Sequence, residues 1–298
     1  MKLKELLHLM ENIAANGDMS PPLLCGGIPR DKLLGIIKDE ISDIDITTGD
    51  KMIHNLAKEF SLELSKHYNI QSKKMNDGHT SVFIGDFKVD FSSNFTVPGI
   101  DGFLARLGIK APTDMQREMF SRDFTCNALL MSLDLKVIQD PIKRGIDDIK
   151  KHILKTCLSP DITLLSNPNR IIRVFYLAAK LDFDVDPEII RWIMENKQYI
   201  RDLDVGYIKT NIDKGLDKNP ERLVHLLDKT NTWDAIPITD KLYPYYNKRS
   251  KIAQIRRNFD LDEGLFSQLN KYKSVSDFRK KRRNKRKPIL QRLKEKRK

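Results

Sequence analysis

Two carboxylates spaced by one residue, Asp43 and Asp45, stand in the segment SDIDIT. In an extended strand they project to one side while Ile44 and Ile46 take the other. Carboxylates aimed at one point repel unless a cation or a shared proton lies between them. Magnesium is the cation that uses few protein oxygens when substrate phosphates supply the rest. Upstream stand Gly26 and Gly27, then Arg30 and Asp31. The glycines permit a tight turn and close approach to a ligand. The spacing predicts a helix opening at Arg30–Asp31, whose free N–H groups suit a phosphate. Glycine turn, helix start and paired Asp together point to nucleoside triphosphate with metal.

Three later segments carry further chemistry. In FKVDF, Val89 and Phe91 share one face, and Lys88 and Asp90 the other. In SRDFTCNAL, Arg122 offers a planar fork to phosphate and Asp123 can accept from a ribose hydroxyl; a helix from Asp123 would bring Asn127 round to the same face. In NPNRIIR, Arg170 and Arg173 lie three apart and can reach one ligand. Asn167 reads both as helix cap and as a side chain able to pair with a base edge, having donor and acceptor.

The combination resembles the class II tRNA nucleotidyltransferase and bacterial poly(A) polymerase family. The elements that carry it are GGIPRDKLLG, the Asp43-Ile44-Asp45 pair, SRDFTCNA and the Gly145–Ile149 stretch, over roughly residues 20–200. Pro29 replaces the family's usual Val, Ser121 its first Arg, and Ser166 and Asn167 its acidic pair. The resemblance implies Asp43 and Asp45 as ligands of Mg²⁺, two ions being expected about 4 Å apart, with Asp90 completing the catalytic acids. It implies Gly26, Gly27, Arg30 and Asp31 around the triphosphate, and Arg122, Asp123 and Asn127 around phosphates and ribose. Arg170, with Asn167, would choose the base, and Arg173, matching the second Arg of the family's neck helix, would join the nucleotide-binding set. The expected substrates are NTPs, ATP and CTP, and the expected partner is RNA, at the tRNA 3′ end; no obligate protein partner is evident.

The elements that must place these residues read as follows. MKLKELLHLMENIAANG is an amphipathic helix, interrupted by Glu5 and Glu11 and so unlike a signal peptide. Lys51–Leu64 is helical, 67–76 a weak strand, and 81–91 a hairpin about Gly85-Asp86. Ile100–Leu107 is a short helix, and Leu133–Pro141 reads as strand, turn and strand. Asn167-Pro168, Asp186-Pro187 and Asn219-Pro220 each open a helix. Pro237–Tyr246 reads as a loop whose tyrosines pack against the bundle or stack on RNA.

The 298 residues carry a net charge of +12. Lys248–Lys298 holds twenty Lys and Arg against five acids, so the rest of the chain is slightly negative. Such a block, with RKKRRNKRK at 279–287, favours a polyanion. Three scattered Cys give no disulfide framework, and no apolar run is long enough to span a membrane. The expected compartment is the cytoplasm. The expected fold class is α+β: a mixed-sheet nucleotidyltransferase-like head (1–155), an all-α neck and short helical body (156–235), and a basic RNA-binding end (236–298). The expected activity is template-independent nucleotide addition to an RNA 3′ end with release of pyrophosphate, as CCA or partial-CCA addition. The alternatives are a poly(A) polymerase and an inactive head that only binds RNA.

Overall fold

The computed structural model describes residues 2–36 and 41–259. It divides into two units, Met1–Pro237 and Ile238–Lys298. The first begins with α1 (Leu3–Asn16), whose Leu6, Leu7, Met10 and Ala14 are buried. A seven-stranded sheet follows. Its strands are β1 (Leu23–Cys25), β2 (Asp43–Thr47), β3 (Ile70–Lys74), β4 (Thr80–Ile84), β5 (Phe87–Phe91), β6 (Leu130–Met131) and β7 (Ile138–Gln139), in the order β3-β4-β5-β2-β1-β6-β7. β2 and β5 run parallel, and β2 lies antiparallel to β1 on its other side.

The apolar faces of β2 and β5 explain where the core sits. Ile44, Ile46, Val89 and Phe91 are each no more than 1% exposed. They pack with α1 and with α3 (Met52–Ser65), which supplies Ile53, Leu56, Phe60 and Leu64. Each such side chain contributes roughly 1.5–3 kcal/mol of burial. The alternation therefore fixes the register, and with it the direction of Asp45 and Asp90.

Between β1 and β2 lies α2 (Gly27–Leu33). It starts three residues earlier than the sequence predicts. Pro29 falls inside its first turn, where the missing N–H has no helical partner to lose. After β5 come α4 (Ile100–Arg106) and α5 (Asp114–Phe120). The helix expected from Asp123 is a 3₁₀ turn, Thr125–Asn127, and β6 begins at Leu130, before the strand expected from Leu133. α6 (Gly145–Lys150) packs against that turn so closely that a Cβ on Gly145 would collide with the Thr125 carbonyl oxygen.

The helical part of the first unit comprises α7 (Pro160–Ser166), α8 (Asn169–Leu181), α9 (Pro187–Asn196), α10 (Gln198–Arg201), α11 (Val205–Lys218) and α12 (Pro220–Lys229). α8 is its central rod, with Ile171, Val174, Phe175 and Ala178 buried. A small parallel sheet, β8 (Ile153–Leu154) with β9 (Asp184–Val185), stitches the end of the head to the turn after α8. Asp186 and Asn219 cap α9 and α12 through their side chains, as the Asp-Pro and Asn-Pro pairs predict.

In the second unit, α13 (Tyr243–Phe259) takes up Tyr243, Tyr245 and Tyr246, which the sequence reading places in a loop. The basic run 279–287 lies outside the described residues. Among the described residues no helix is long and apolar enough to cross a membrane.

Candidate active site

β2 and β5 bring two acids side by side. Asp45 and Asp90 are direct partners across the parallel pair. Both line one cavity of about 240 Å³, together with Cys25, His79, Ser92, Glu118, Arg122 and Arg170. Asp45 makes no side-chain hydrogen bond among the described residues. Burial raises its carboxyl above the ordinary carboxylate value; the guanidinium of Arg122 opposes this and the charge of Asp90 adds to it. Gly26, at φ 69°, is what allows the chain to pass so close: a Cβ there would stand 2.5 Å from Asp45 Oδ2.

Asp90 accepts from Ser81 Oγ at 2.6 Å and from Lys88 Nζ at 2.5 Å. His79 Nε2 lies 3.9 Å from Asp90 Oδ1, the oxygen that Ser81 holds. Asp43 is exposed at the start of β2, paired in register with Lys88, and does not line the cavity. Burial works against the Lys88 ammonium, but its bond to Asp90 and the fields of Asp90, Asp43 and Asp45 outweigh that and raise it above the ordinary lysine value.

Among the described residues no group of three or more His, Cys, Asp or Glu is arranged to hold a metal ion. The donor chemistry nevertheless fits a hard cation. One ammonium already feels all three carboxylates, and Asp45, half-buried in the cavity wall, makes no side-chain hydrogen bond among the described residues.

The opposite wall is built by α5 and the segment that follows it. Glu118 is 3% exposed. It accepts from Thr47 Oγ1 at 2.5 Å, Ser92 Oγ at 2.8 Å and Arg122 Nη2 at 2.9 Å. Arg122 also donates to Cys25 Sγ at 3.0 Å, and its Nε is buried without a partner. Burial alone would lower its pKa; the surrounding Cys25, Glu118 and Asp45 hold it above the ordinary value. Burial pushes the Cys25 thiol up to about 12, so at neutral pH it remains a thiol.

The other arginines and the 3₁₀ turn form a second network, buried at Arg30, Asp123 and Asn127 and partly exposed at Asp31, Arg170 and Arg173. Arg30, also 3% exposed, donates to Asp31 Oδ1 at 2.7 Å and to Asn127 Oδ1. Asn127 donates to Asp123 Oδ1 at 3.1 Å. Asp123 Oδ2 receives both Nε and Nη2 of Arg173, each at 2.7 Å. Burial would raise the Asp123 carboxyl, but Arg173, Arg170 and these hydrogen bonds bring it down to about 2. Arg170 donates to the carbonyls of Thr163 and Ser121 and to Ser166 Oγ. Both arginines of α8 thus join the helical part to the head, and of the two only Arg170 lines the cavity. Asn167 is exposed and accepts from the Asn169 N–H at 3.2 Å, so its side chain serves the start of α8.

Of the residues singled out by sequence, the structure gathers Gly26, Asp45, Asp90, Arg122 and Arg170 at one place. Gly27, Arg30, Asp31, Asp123, Asn127 and Arg173 lie in the network behind or beside it, and Asp43 and Asn167 are exposed. Glu118 and Ser92 line the cavity without belonging to any of the sequence motifs, and Thr47 bonds to Glu118. The spacing of Glu118 from Arg122, one helical turn, is the sequence signal that could have found it.

Residues 23–155 match the family model described as the Poly A polymerase head domain. A tRNA nucleotidyltransferase of Schizosaccharomyces pombe is 25% identical over 293 residues, covering 90% of this chain and 57% of that relative. A CCA-adding enzyme of Limosilactobacillus reuteri is 28% identical over 203 residues, 65% of this chain and 45% of the relative. The chain thus spans about half the length of these curated relatives. The fold is shared with the Bacillus stearothermophilus CCA-adding enzyme in complex with CTP, at TM-score 0.61 and 21% identity over 80% of this chain and 55% of that one. It is also shared with the Thermotoga maritima CCA-adding enzyme complexed with tRNA, at TM-score 0.60 and 19% identity over 98% and 72%. The head of the chain, residues 23–155, is thus similar to the Poly A polymerase head domain, and the fold as a whole is similar to that of the solved CCA-adding enzymes.

Proposed function

We propose that the protein transfers nucleoside monophosphate from an NTP to the 3′ end of RNA, with tRNA as acceptor and CCA or partial CCA as product. The observation that carries this is the register pairing of Asp45 with Asp90 in one cavity that Arg122 closes from the facing wall. The two curated relatives and the two solved structures described above, named for CCA addition or tRNA, support the choice of acceptor.

In the reaction the 3′-hydroxyl oxygen bonds to the α-phosphorus and the bond to pyrophosphate breaks. The hydroxyl proton leaves to a carboxylate, the role assigned to Asp90. Phosphoryl transfer asks mainly for positioning and charge neutralisation. Asp45 with Asp43 and Asp90 would hold Mg²⁺, which would supply the positive charge that phosphate oxygens need. Arg122 meets the triphosphate from the other wall, and Gly26 keeps the space over Asp45 open. Arg170 faces the same space and is the residue assigned to the base. Arg30, Asp31 and Asn127 hold the α2 turn beneath. The basic block from Lys248 onward is assigned to the RNA backbone, and the cytoplasm is the proposed compartment.

The test is incubation with a tRNA transcript lacking its 3′ end, Mg²⁺ and each NTP, followed by sequencing of the extended ends. Three or fewer added residues and a stop support the reading; open-ended A gives the poly(A) polymerase alternative. No incorporation into any RNA, with RNA binding retained, leaves the inactive RNA-binding head.

A further inference from the structure

Glu118 belongs to none of the motifs that pointed to the site. It is nonetheless a buried carboxylate that lines the cavity, as do two of its three partners, Ser92 and Arg122. α5 is set in place by a capping box, with the Gln116 N–H donating to Thr113 Oγ1 at 3.1 Å and the Thr113 N–H to Gln116 Oε1 at 3.0 Å. One turn further along, Glu118 Oε2 takes the Thr47 hydroxyl, and Oε1 takes both the Ser92 hydroxyl and Arg122 Nη2.

Thr47 lies two residues after Asp45 on β2, and Ser92 two residues after Asp90 at the end of β5. A single carboxylate therefore ties the ends of both acid-bearing strands to the cationic side chain facing them. Burying a charge is costly unless it is paired and hydrogen-bonded. Three donors meet that condition here: Ser92 and Arg122 line the cavity, and Thr47 directly follows the lining residue Ile46. The ion pair also decides the plane of the Arg122 guanidinium. Its other contact is the weak acceptor Cys25 Sγ, and its Nε has none.

We propose that Glu118 is the positioning residue of this site: it aims Arg122 at the nucleotide phosphates and fixes the spacing of the strands that carry Asp45 and Asp90. This rests on the function proposed above. Glu118 does not touch substrate; it acts through Arg122, Thr47 and Ser92.

The experiment is Glu118→Gln, which keeps the shape and removes the charge. Affinity for a fluorescent non-hydrolysable ATP analogue should fall about tenfold to a hundredfold, the size of a lost hydrogen bond between charged partners. The KM for NTP should rise in parallel while the KM for RNA stays put. Glu118→Asp should recover part of the loss. Arg122→Lys alone and Glu118→Gln with Arg122→Lys should be equally impaired, because the two side chains act as one unit. Folded Glu118→Gln protein with unchanged nucleotide affinity overturns the inference, and so does full additivity with Arg122→Lys. Should Glu118→Gln fail to fold, Ser92→Ala removes one arm and leaves the charge; it should lower kcat several-fold at unchanged RNA KM, and an unchanged kcat overturns the spacing claim. Wild-type protein that extends no RNA refutes the transferase reading instead, and analogue binding by the same variants still tests Glu118.

Discussion

The Asp123–Arg173 pair makes the most direct energetic prediction, because one residue belongs to the head and the other to α8. Both guanidinium N–H groups of Arg173 reach one oxygen at 2.7 Å, and Asp123 is 8% exposed. The carboxyl is drawn from 3.8 to about 2 despite burial, which opposes the shift. At about 1.4 kcal/mol per unit, this contributes about 2 kcal/mol to the folded state. The folded value is depressed, so the contribution is complete above the ordinary carboxylate value and is lost as pH falls from there through about 2. Asp123→Asn should therefore unfold at lower urea concentration than wild type at pH 7, by about 2 kcal/mol. In a unit of this size that is roughly 4–8 °C in Tm. The gap should narrow steadily below pH 4. Urea titrations of both proteins by circular dichroism, from pH 7 to pH 2, measure it. A gap that stays constant over that range would refute the assignment of the lowered carboxyl to Asp123.

Other perturbations have equally definite outcomes. Asp45→Asn should abolish nucleotide incorporation while leaving Tm equal to or above wild type, since a carboxyl raised by burial destabilises the fold when ionised at neutral pH; loss of both activity and Tm would argue for a structural Asp45. Arg30→Met should cost about 1–3 kcal/mol in chemical denaturation, because it removes the donor to the buried Asn127 Oδ1 and one of the cationic partners of Asp31, which keeps Lys180 at 3.9 Å. Gly145→Ala should cost about 1–3 kcal/mol, because the added methyl meets the Thr125 carbonyl; an unchanged midpoint would mean that α6 yields freely. Removal of residues 279–298 should weaken RNA binding and flatten its dependence on salt while sparing slow incorporation; identical affinity at low salt would reject the tail as an RNA contact.

The strand that carries the acids was legible because period-2 alternation admits one register: Ile44 and Ile46 can be buried only if Asp45 faces away. The proline-led helices were legible because Asp-Pro and Asn-Pro write the cap and the first residue together. What was not legible depended on long-range partners. The Asp123 segment has the residues of a helix start, yet the chain turns once and enters β6, where Leu130 pairs with Cys25. Glu118 sits in an amphipathic helix like any other, and only the fold brings Thr47 and Ser92 to it. Nor does spacing along α8 reveal that Arg173 finds its acid fifty residues upstream.

That last point bears on how a base could be chosen. The resemblance assigns Arg170 and Arg173 to the incoming nucleotide, whereas the structure uses both as struts between α8 and the head. The two are not equivalent. Arg173 is bound to a buried carboxylate in a charge-assisted pair, and releasing it would leave Asp123 ionised and without its main partner. Arg170 is bound to two carbonyls and a hydroxyl, all neutral, and burial draws its guanidinium below the ordinary arginine value. The carbonyl oxygen or an unprotonated ring nitrogen of a base is likewise a neutral acceptor, so an exchange at Arg170 costs little net hydrogen bonding. Of the pair, Arg170 is the one able to read a base while Arg173 keeps the junction closed. Arg170→Lys should accordingly alter the ratio of nucleotides added at nearly unchanged Tm, and Arg173→Lys should lower Tm first; the reverse pattern would exchange their roles.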